Sequence, residues 1–208
     1  MAEHPPGPAG AHLDPIASPW VRRWSHLIAP GSNVLDVACG HGRHVHWFVQ
    51  RGCRVTGIDR DAAALEPLRS SAEIIVADIE GAAWPLAGQS FDGVVVTNYL
   101  WRARLPDILV SLAPRGVLIY ETFARGQHSV GKPSNPAFLL EPGELLAVAA
   151  PLRIVAYEDG FLDAPDRFVQ RIAAVQEAPQ RTAPMRYPLS VEAASATPLK
   201  SADHEESA

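Results

Sequence analysis

Several things are scarce in this chain of 208 residues, and each scarcity excludes something. Cysteine occurs only twice, at Cys39 and Cys53, which is too few for a disulfide framework. Cys39 also falls inside a glycine loop, where a covalent staple would serve nothing, so a reducing cytoplasm is the expected compartment. No stretch approaches the roughly 18 to 20 consecutive apolar residues that a membrane helix requires, so no membrane partner is expected. The first ten residues are rich in proline and glycine and lack the basic start and apolar run of a signal peptide. Positive charge is in short supply as well. Lys and Arg total 18 against 23 Asp and Glu, a formal charge of −5, so a polyanion meets no general attraction and nucleic acid is disfavoured as a partner. No repeat of solenoid type recurs along the chain.

What is present reads as one ordinary globular domain, 47% apolar and 20% charged, with enough length for a sizeable core. Both ends differ from the middle. Residues 1–15 are rich in Pro, Gly and Ala, and 177–208 run through Ala, Pro, Ser and Glu; both are expected to be disordered tails around a domain over 16–176.

Within the domain, apolar runs alternate with helical periodicity. Strands are expected over 33–38, 54–58, 73–77, 92–97 and 116–122, with helices over 43–51, 61–70 and 105–112 between them. Strands apolar on both faces and separated by helices imply a parallel sheet covered on both sides. After Thr122 the rhythm changes: a Gly/Ser/Asn/Pro segment over 125–136 precedes a helix near 142–149. Two closely joined strands then follow, over 152–158 and 168–175, the pattern of a hairpin. The expected fold is therefore α/β and doubly wound: a mostly parallel seven-stranded sheet, an antiparallel C-terminal hairpin, and helices on both faces.

The most informative stretch is Val34-Leu35-Asp36-Val37-Ala38-Cys39-Gly40-His41-Gly42-Arg43-His44, a strand ending in an acid, then a small-residue loop that enters a helix. Small residues let a ligand approach the main chain and adopt positive φ cheaply. Amides at the helix start can face a carboxylate. A glycine turn here also serves plain packing in many α/β proteins. A second strand, Val55-Thr56-Gly57-Ile58-Asp59, again ends in a carboxylate, placed where a ribose-binding acid is expected. Such a carboxylate can accept from both ribose hydroxyls or, more blandly, cap the next helix. Arg60 follows it directly. A third strand end gives Ala77-Asp78-Ile79, where Asp78 can accept from an adenine amino group beside apolar Ile79, or sit as a solvated loop residue.

Asp36 to Gly42 resembles motif I of the class I, Rossmann-like S-adenosylmethionine-dependent methyltransferases, with Ala38 where a first glycine is more usual. Asp59 and Asp78 match the ribose and adenine acids of that family, and the likeness extends over roughly 16–175. It implies an enzyme using S-adenosyl-L-methionine. Asp36, Ala38, Cys39, Gly40 and Gly42 would surround the methionine end, while Asp59, Arg60, Asp78, Ile79 and Asn98 would complete the cofactor site. A nicotinamide or flavin dinucleotide site fits poorly. Counted from Gly40 in Gly-x-Gly-x-x-Gly, the third glycine position holds Val45, and Asp36 would repel a pyrophosphate.

Ligands of open α/β sheets lie beyond the carboxyl ends of the strands, so Thr97-Asn98-Tyr99-Leu100-Trp101-Arg102 should face the acceptor. The segment is not the Asn/Asp-Pro-Pro-Tyr/Phe pattern of many enzymes that methylate amino groups and bases. Tyr120-Glu121-Thr122-Phe123 and the stretch from Lys132-Pro133-Ser134-Asn135-Pro136 to Glu144-Leu145 are similar to the tellurite-resistance and thiopurine-type branch. That likeness implies a small, soft nucleophile as acceptor. A thiol or chalcogen anion would need little assistance, whereas an oxygen or carbon acid would need a base. The candidates for catalysis are Asn98, Tyr99, Glu121 and His44, with His128 on the long segment; the sequence does not choose among them. No metal is expected, because His41, His44 and His46 share no helix face and no cysteine pair joins them. Two other readings stand beside a small-molecule methyltransferase: a protein that binds the nucleoside without catalysis, as scaffold or sensor, and a methyltransferase acting on protein or RNA.

Overall fold

A computed structural model describes residues 16–178 and 185–189. One seven-stranded sheet runs in the order β3-β2-β1-β4-β5-β7-β6. Four strands, β1 (Asn33–Val37), β2 (Arg54–Asp59), β3 (Glu73–Val76) and β4 (Phe91–Thr97), are parallel to one another and to β5 (Leu112–Phe123). β6 (Arg153–Asp163) and β7 (Asp166–Val175) form the hairpin, with β7 antiparallel to β5. The doubly wound fold expected from the sequence is the one observed.

Alternation along each strand builds two cores. Leu35, Val94, Val96, Leu118 and Ala174 pack on one face, where Ile108 and Leu145 from α4 (Leu105–Val110) and α5 (Glu144–Val148) cover them. Val34, Val95, Ile119 and Ala173 pack on the other, beneath Val45 and Phe48 of α2 (Arg43–Gln50) and Trp20 and Trp24 of α1 (Pro19–Trp24). Neighbouring residues of a strand point to opposite faces, so an all-apolar run such as Val94-Val95-Val96 needs cover on both.

Several boundaries moved for local reasons. The helix expected over 61–70 is split into α3 (Ala62–Leu65) and a 3-10 turn (Glu66–Ser70) with Pro67 near its start. The helix from Leu105 ends at Val110, where the Ser111 amide and hydroxyl both bond back to the Asp107 carbonyl and the chain enters β5 at Leu112. The hairpin strands are longer than expected: β6 runs past Gly160 and β7 starts directly after Pro165, pairing from Arg153↔Val175 out to Asp163↔Asp166. Of the two expected tails, 1–15 lies outside the described residues, as do 179–184 and 190–208. Residues 185–189 meet the domain: the His26 Nε2 donates to the Pro188 carbonyl at 2.9 Å, and Tyr187 packs against the tryptophan-rich core.

Trp20 is the largest side chain closing that core, and its indole N–H donates to the Ile172 carbonyl at 3.2 Å. Trp20→Ala is expected to lower the unfolding free energy by about 3–5 kcal/mol in urea denaturation. Phe161→Ala, at a half-exposed ring on the hairpin, should cost about 1.5 kcal/mol or less.

Candidate functional site

Strand order reverses between β1 and β4, and at their carboxyl ends both chains turn away through left-handed backbone, Ala38 at φ 54° and Asn98 at φ 55°. Such turns are uncommon outside glycine, and paired here they open the crevice where open α/β sheets take ligands. Asn98 is held there by its amide, which donates to the Glu121 carbonyl at 2.9 Å. Gly40 and Gly42 repeat the left-handed turn at φ 53° and 74°, carrying the chain from β1 into α2. A side chain at Gly42 would also strike Leu68, 2.4 Å from its Cδ1.

A cleft of about 290 Å³ lies at this crevice, close to the lower end of small-ligand pockets, which hold roughly 300–1,000 Å³. Ala38, Asp59, Arg60, Asp78, Ile79 and Asn98, six residues singled out in the sequence, line it together. Glu80 and Tyr99 line it too. Glu80 directly follows Ile79 but was not singled out in the sequence; Tyr99, read there as an acceptor-side residue, lines the same cleft as Asp59 and Asp78. A larger cavity of about 560 Å³, bordered by Arg54, Thr56 and Glu73, opens at the amino ends of the strands. Size favours that cavity, but the turns, glycines and acids converge on the smaller one at the carboxyl ends.

Asp59 does not cap α3. That task falls to Asp61, whose carboxylate accepts from the Ala63 and Ala64 amides. Asp59 instead accepts from the Gly40 amide at 2.9 Å and the Asp61 amide at 3.0 Å, tying the loop after β1 to the end of β2. Asp78 closes a tight turn on the Glu80 amide at 2.9 Å while remaining exposed in the cleft. Asp36 lies buried beneath the loop. Burial, partly offset by Arg43, pushes its carboxyl up to about 8, and one oxygen, Oδ2, has no partner. The Tyr99 hydroxyl is likewise buried without a partner, and burial raises its pKa. Cys39 is placed in the loop by its backbone, whose amide donates to the Ile58 carbonyl at 3.1 Å, and burial pushes its thiol up.

Two of the candidate bases, His44 and Glu121, are committed to structure. His44 is buried, and burial with Arg43 lowers it to about 3. Its Nε2 accepts from the Ser18 amide at 3.2 Å, which leaves the ring proton on Nδ1, 3.4 Å from the Thr97 hydroxyl. Glu121 is fully buried and accepts from the Ser18 hydroxyl at 2.9 Å and from Arg171 at 3.4 Å. Arg171 in turn meets Glu158 at 2.5 Å and stacks on Trp20 with its guanidinium 4.9 Å from the ring centre. Ser18 therefore joins α2, β5 and α1. Its partners lie 26 and 103 residues away, beyond the reach of any local pattern. His128 is exposed on a 3-10 turn (Gln127–Ser129). Its neighbour Gln127 is buried and bonded to the Lys132 carbonyl and the Phe168 amide, which fastens the 125–136 segment to the hairpin. His41 and His46 are exposed, and among the described residues no three His, Cys, Asp or Glu gather as a metal site would require.

Residues 34–115, from β1 into the start of β5, match the family described as methyltransferase domain. The chain is 37% identical over 102 residues to a trans-aconitate 2-methyltransferase of Paracidovorax citrulli, a stretch covering 44% of this chain and 38% of that protein. A malonyl-[acyl-carrier protein] O-methyltransferase of Serratia marcescens is 32% identical over 106 residues, 47% of this chain and 40% of the other. The matched stretch thus spans about two fifths of these relatives. The crystal structure of TehB from Haemophilus influenzae superposes with a TM-score of 0.59 at 20% identity, covering 74% of this chain and 60% of that one. At that identity the likeness is one of fold. No helix among the described residues is long and apolar enough to cross a membrane.

Two buried groups of the domain give opposite pH slopes. His44 falls from an ordinary 6.5 to about 3, so its contribution is present above pH 6.5 and lost as pH drops towards 3. Asp36 rises from 3.8 to about 8, so its contribution is present below pH 3.8 and lost as pH climbs through 8. In urea midpoints measured across pH, Asp36→Asn should flatten the decline on the alkaline side. His44→Gln should flatten the decline on the acid side.

Proposed function

We propose that this chain is an S-adenosylmethionine-dependent methyltransferase whose acceptor is a small anion. Support for the cofactor comes from the cleft. Its walls carry acids at two successive strand ends, Asp59 suited to ribose hydroxyls and Asp78 to an adenine amino group, with apolar Ile79 beside them. The unpartnered Asp36 oxygen beneath the loop and the unpartnered Tyr99 hydroxyl in the wall are polar groups that a bound ligand and its waters would satisfy. The ligand's amino-acid end fits against the loop from Ala38 to Gly42, where the amides at the start of α2 favour a carboxylate. When bound, the sulfonium supplies a methyl group already activated for transfer. The protein's part is to hold the acceptor in line and exclude water.

The observation that carries the acceptor class is the commitment of the two buried candidate bases, His44 and Glu121. His44 stays neutral with both ring nitrogens engaged, Glu121 is held by Ser18 and Arg171, and Tyr99 is a weaker acid than usual. An acceptor that reacts as the anion formed by its own ionisation needs none of them. The likeness to the tellurite-resistance and thiopurine-type branch favours a thiolate or chalcogen anion. The relatives named for trans-aconitate and a malonyl group favour a carboxylate, which is equally an anion.

Calorimetric titration with S-adenosylhomocysteine is expected to show binding that weakens about tenfold or more in Asp59→Asn, the loss of a charge-assisted hydrogen bond. No binding to folded protein would overturn the cofactor reading; binding without transfer to any thiol, chalcogen or carboxylate would favour the scaffold or sensor. The rate should then follow the acceptor's own ionisation. A thiol would show a rise centred near its pKa of about 8.5, and a carboxylate a flat profile from about pH 6 to 8. An additional break assignable to an enzyme base would argue against an anionic acceptor.

A further inference from the structure

Resting on the cofactor reading above, we propose that Arg104 is the positioning residue for base recognition, holding the turn that carries Asp78 and Ile79 so that the cleft selects adenine over a 6-oxo purine. Its guanidinium reaches three groups from two parts of the chain. Nε donates to the Ile79 carbonyl at 2.5 Å, Nη2 donates to the Ala82 carbonyl, and Nη1 meets Asp107 of α4 at 2.9 Å. The 78–82 turn therefore has two fastenings. From within, Asp78 Oδ1 accepts from the Glu80 amide at 2.9 Å and the Gly81 amide at 3.4 Å. From outside, Arg104 takes the carbonyls on the far side of the same turn.

The choice of arginine follows from geometry. A planar fork with five donors can engage two carbonyls and a carboxylate at once, whereas a lysine presents a single point charge on a flexible stem. Most of the Arg104 side chain is buried. Its own base is firm as well. Arg104 ends a 3-10 turn (Arg102–Arg104), and Arg102 at the other end donates to the Ala137 carbonyl at 2.7 Å, the Leu139 carbonyl at 2.9 Å and Glu144 at 2.7 Å. The turn that follows Asn98 and Tyr99 is thus pinned to the segment after β5 on one side and to the nucleoside wall on the other.

A carboxylate held in place accepts from the 6-amino group of adenine and repels the 6-oxo group of hypoxanthine. Sites built to hydrogen-bond one group reject the analogue that lacks it, and the rejection weakens when the partner is free to turn away. The wild type, Arg104→Lys and Asp107→Asn should each be titrated calorimetrically with S-adenosylhomocysteine and S-inosylhomocysteine, beside thermal scans. The wild type should prefer the adenine ligand. That preference should fall by about tenfold in Arg104→Lys. In Asp107→Asn, where the guanidinium keeps its carbonyls and loses one anchor, it should fall to an intermediate value. A role confined to stability would lower the thermal midpoint and leave the preference intact, and that result overturns the proposal. If Arg104→Lys does not fold, an unchanged preference in Asp107→Asn overturns it instead. Wild-type protein that binds both ligands equally well also overturns it, and wild-type protein that binds neither overturns the cofactor reading itself.

Discussion

The binding geometry of this protein depends on the point where strand order reverses. From β1 the chain crosses to β2 on one side, and from β4 it crosses to β5 on the other, so no connection covers the space between their carboxyl ends. Backbone at that place must leave both strands sharply, and Ala38 and Asn98 do so in the left-handed region with nearly equal φ. Because the strands beneath are apolar on both faces and covered on both, the crevice cannot shift without uncovering one core or the other. Polar groups needed by a ligand are consequently carried on loops set by a rigid sheet.

The buried polar groups around Glu121 obey a different constraint. A fully buried glutamate is costly unless neighbours compensate it, and Glu121 is compensated by a hydroxyl from the N-terminal segment and a guanidinium from β7. The same serine satisfies a buried histidine, so removing one group would leave others unpaired. That interdependence explains why residues with textual promise as bases serve as structure: their lone pairs and protons are already in use.

A similar division runs through the charged residues near the cleft. Asp59 and Asp61 are two residues apart, yet one ties the loop to β2 and the other caps a helix. Arg102 and Arg104 are also two residues apart, and their guanidinium groups pin segments on opposite sides. On the 3-10 turn of Arg102 and Arg104 a spacing of two sends side chains in different directions, so neighbours in sequence become partners of distant parts of the fold.

Period and punctuation alone determined the α/β class, the parallel sheet with its terminal hairpin, and the three strand-end acids. These are local properties, written in the runs Val34-Leu35-Asp36-Val37, Val55-Thr56-Gly57-Ile58-Asp59 and Ala77-Asp78. Element ends were less legible, since a helix ending before Ser111 or a strand continuing through Gly160 depends on a few local bonds or one partner strand. Tertiary structure alone decided that Tyr99 lines one cleft with Asp59 and Asp78, that His44 and Glu121 are sealed by Ser18, and that Arg104 holds the turn of Asp78. In each case the deciding contact joins residues far apart in the chain, and the state of a titratable group is set by burial, a property that no linear pattern carries.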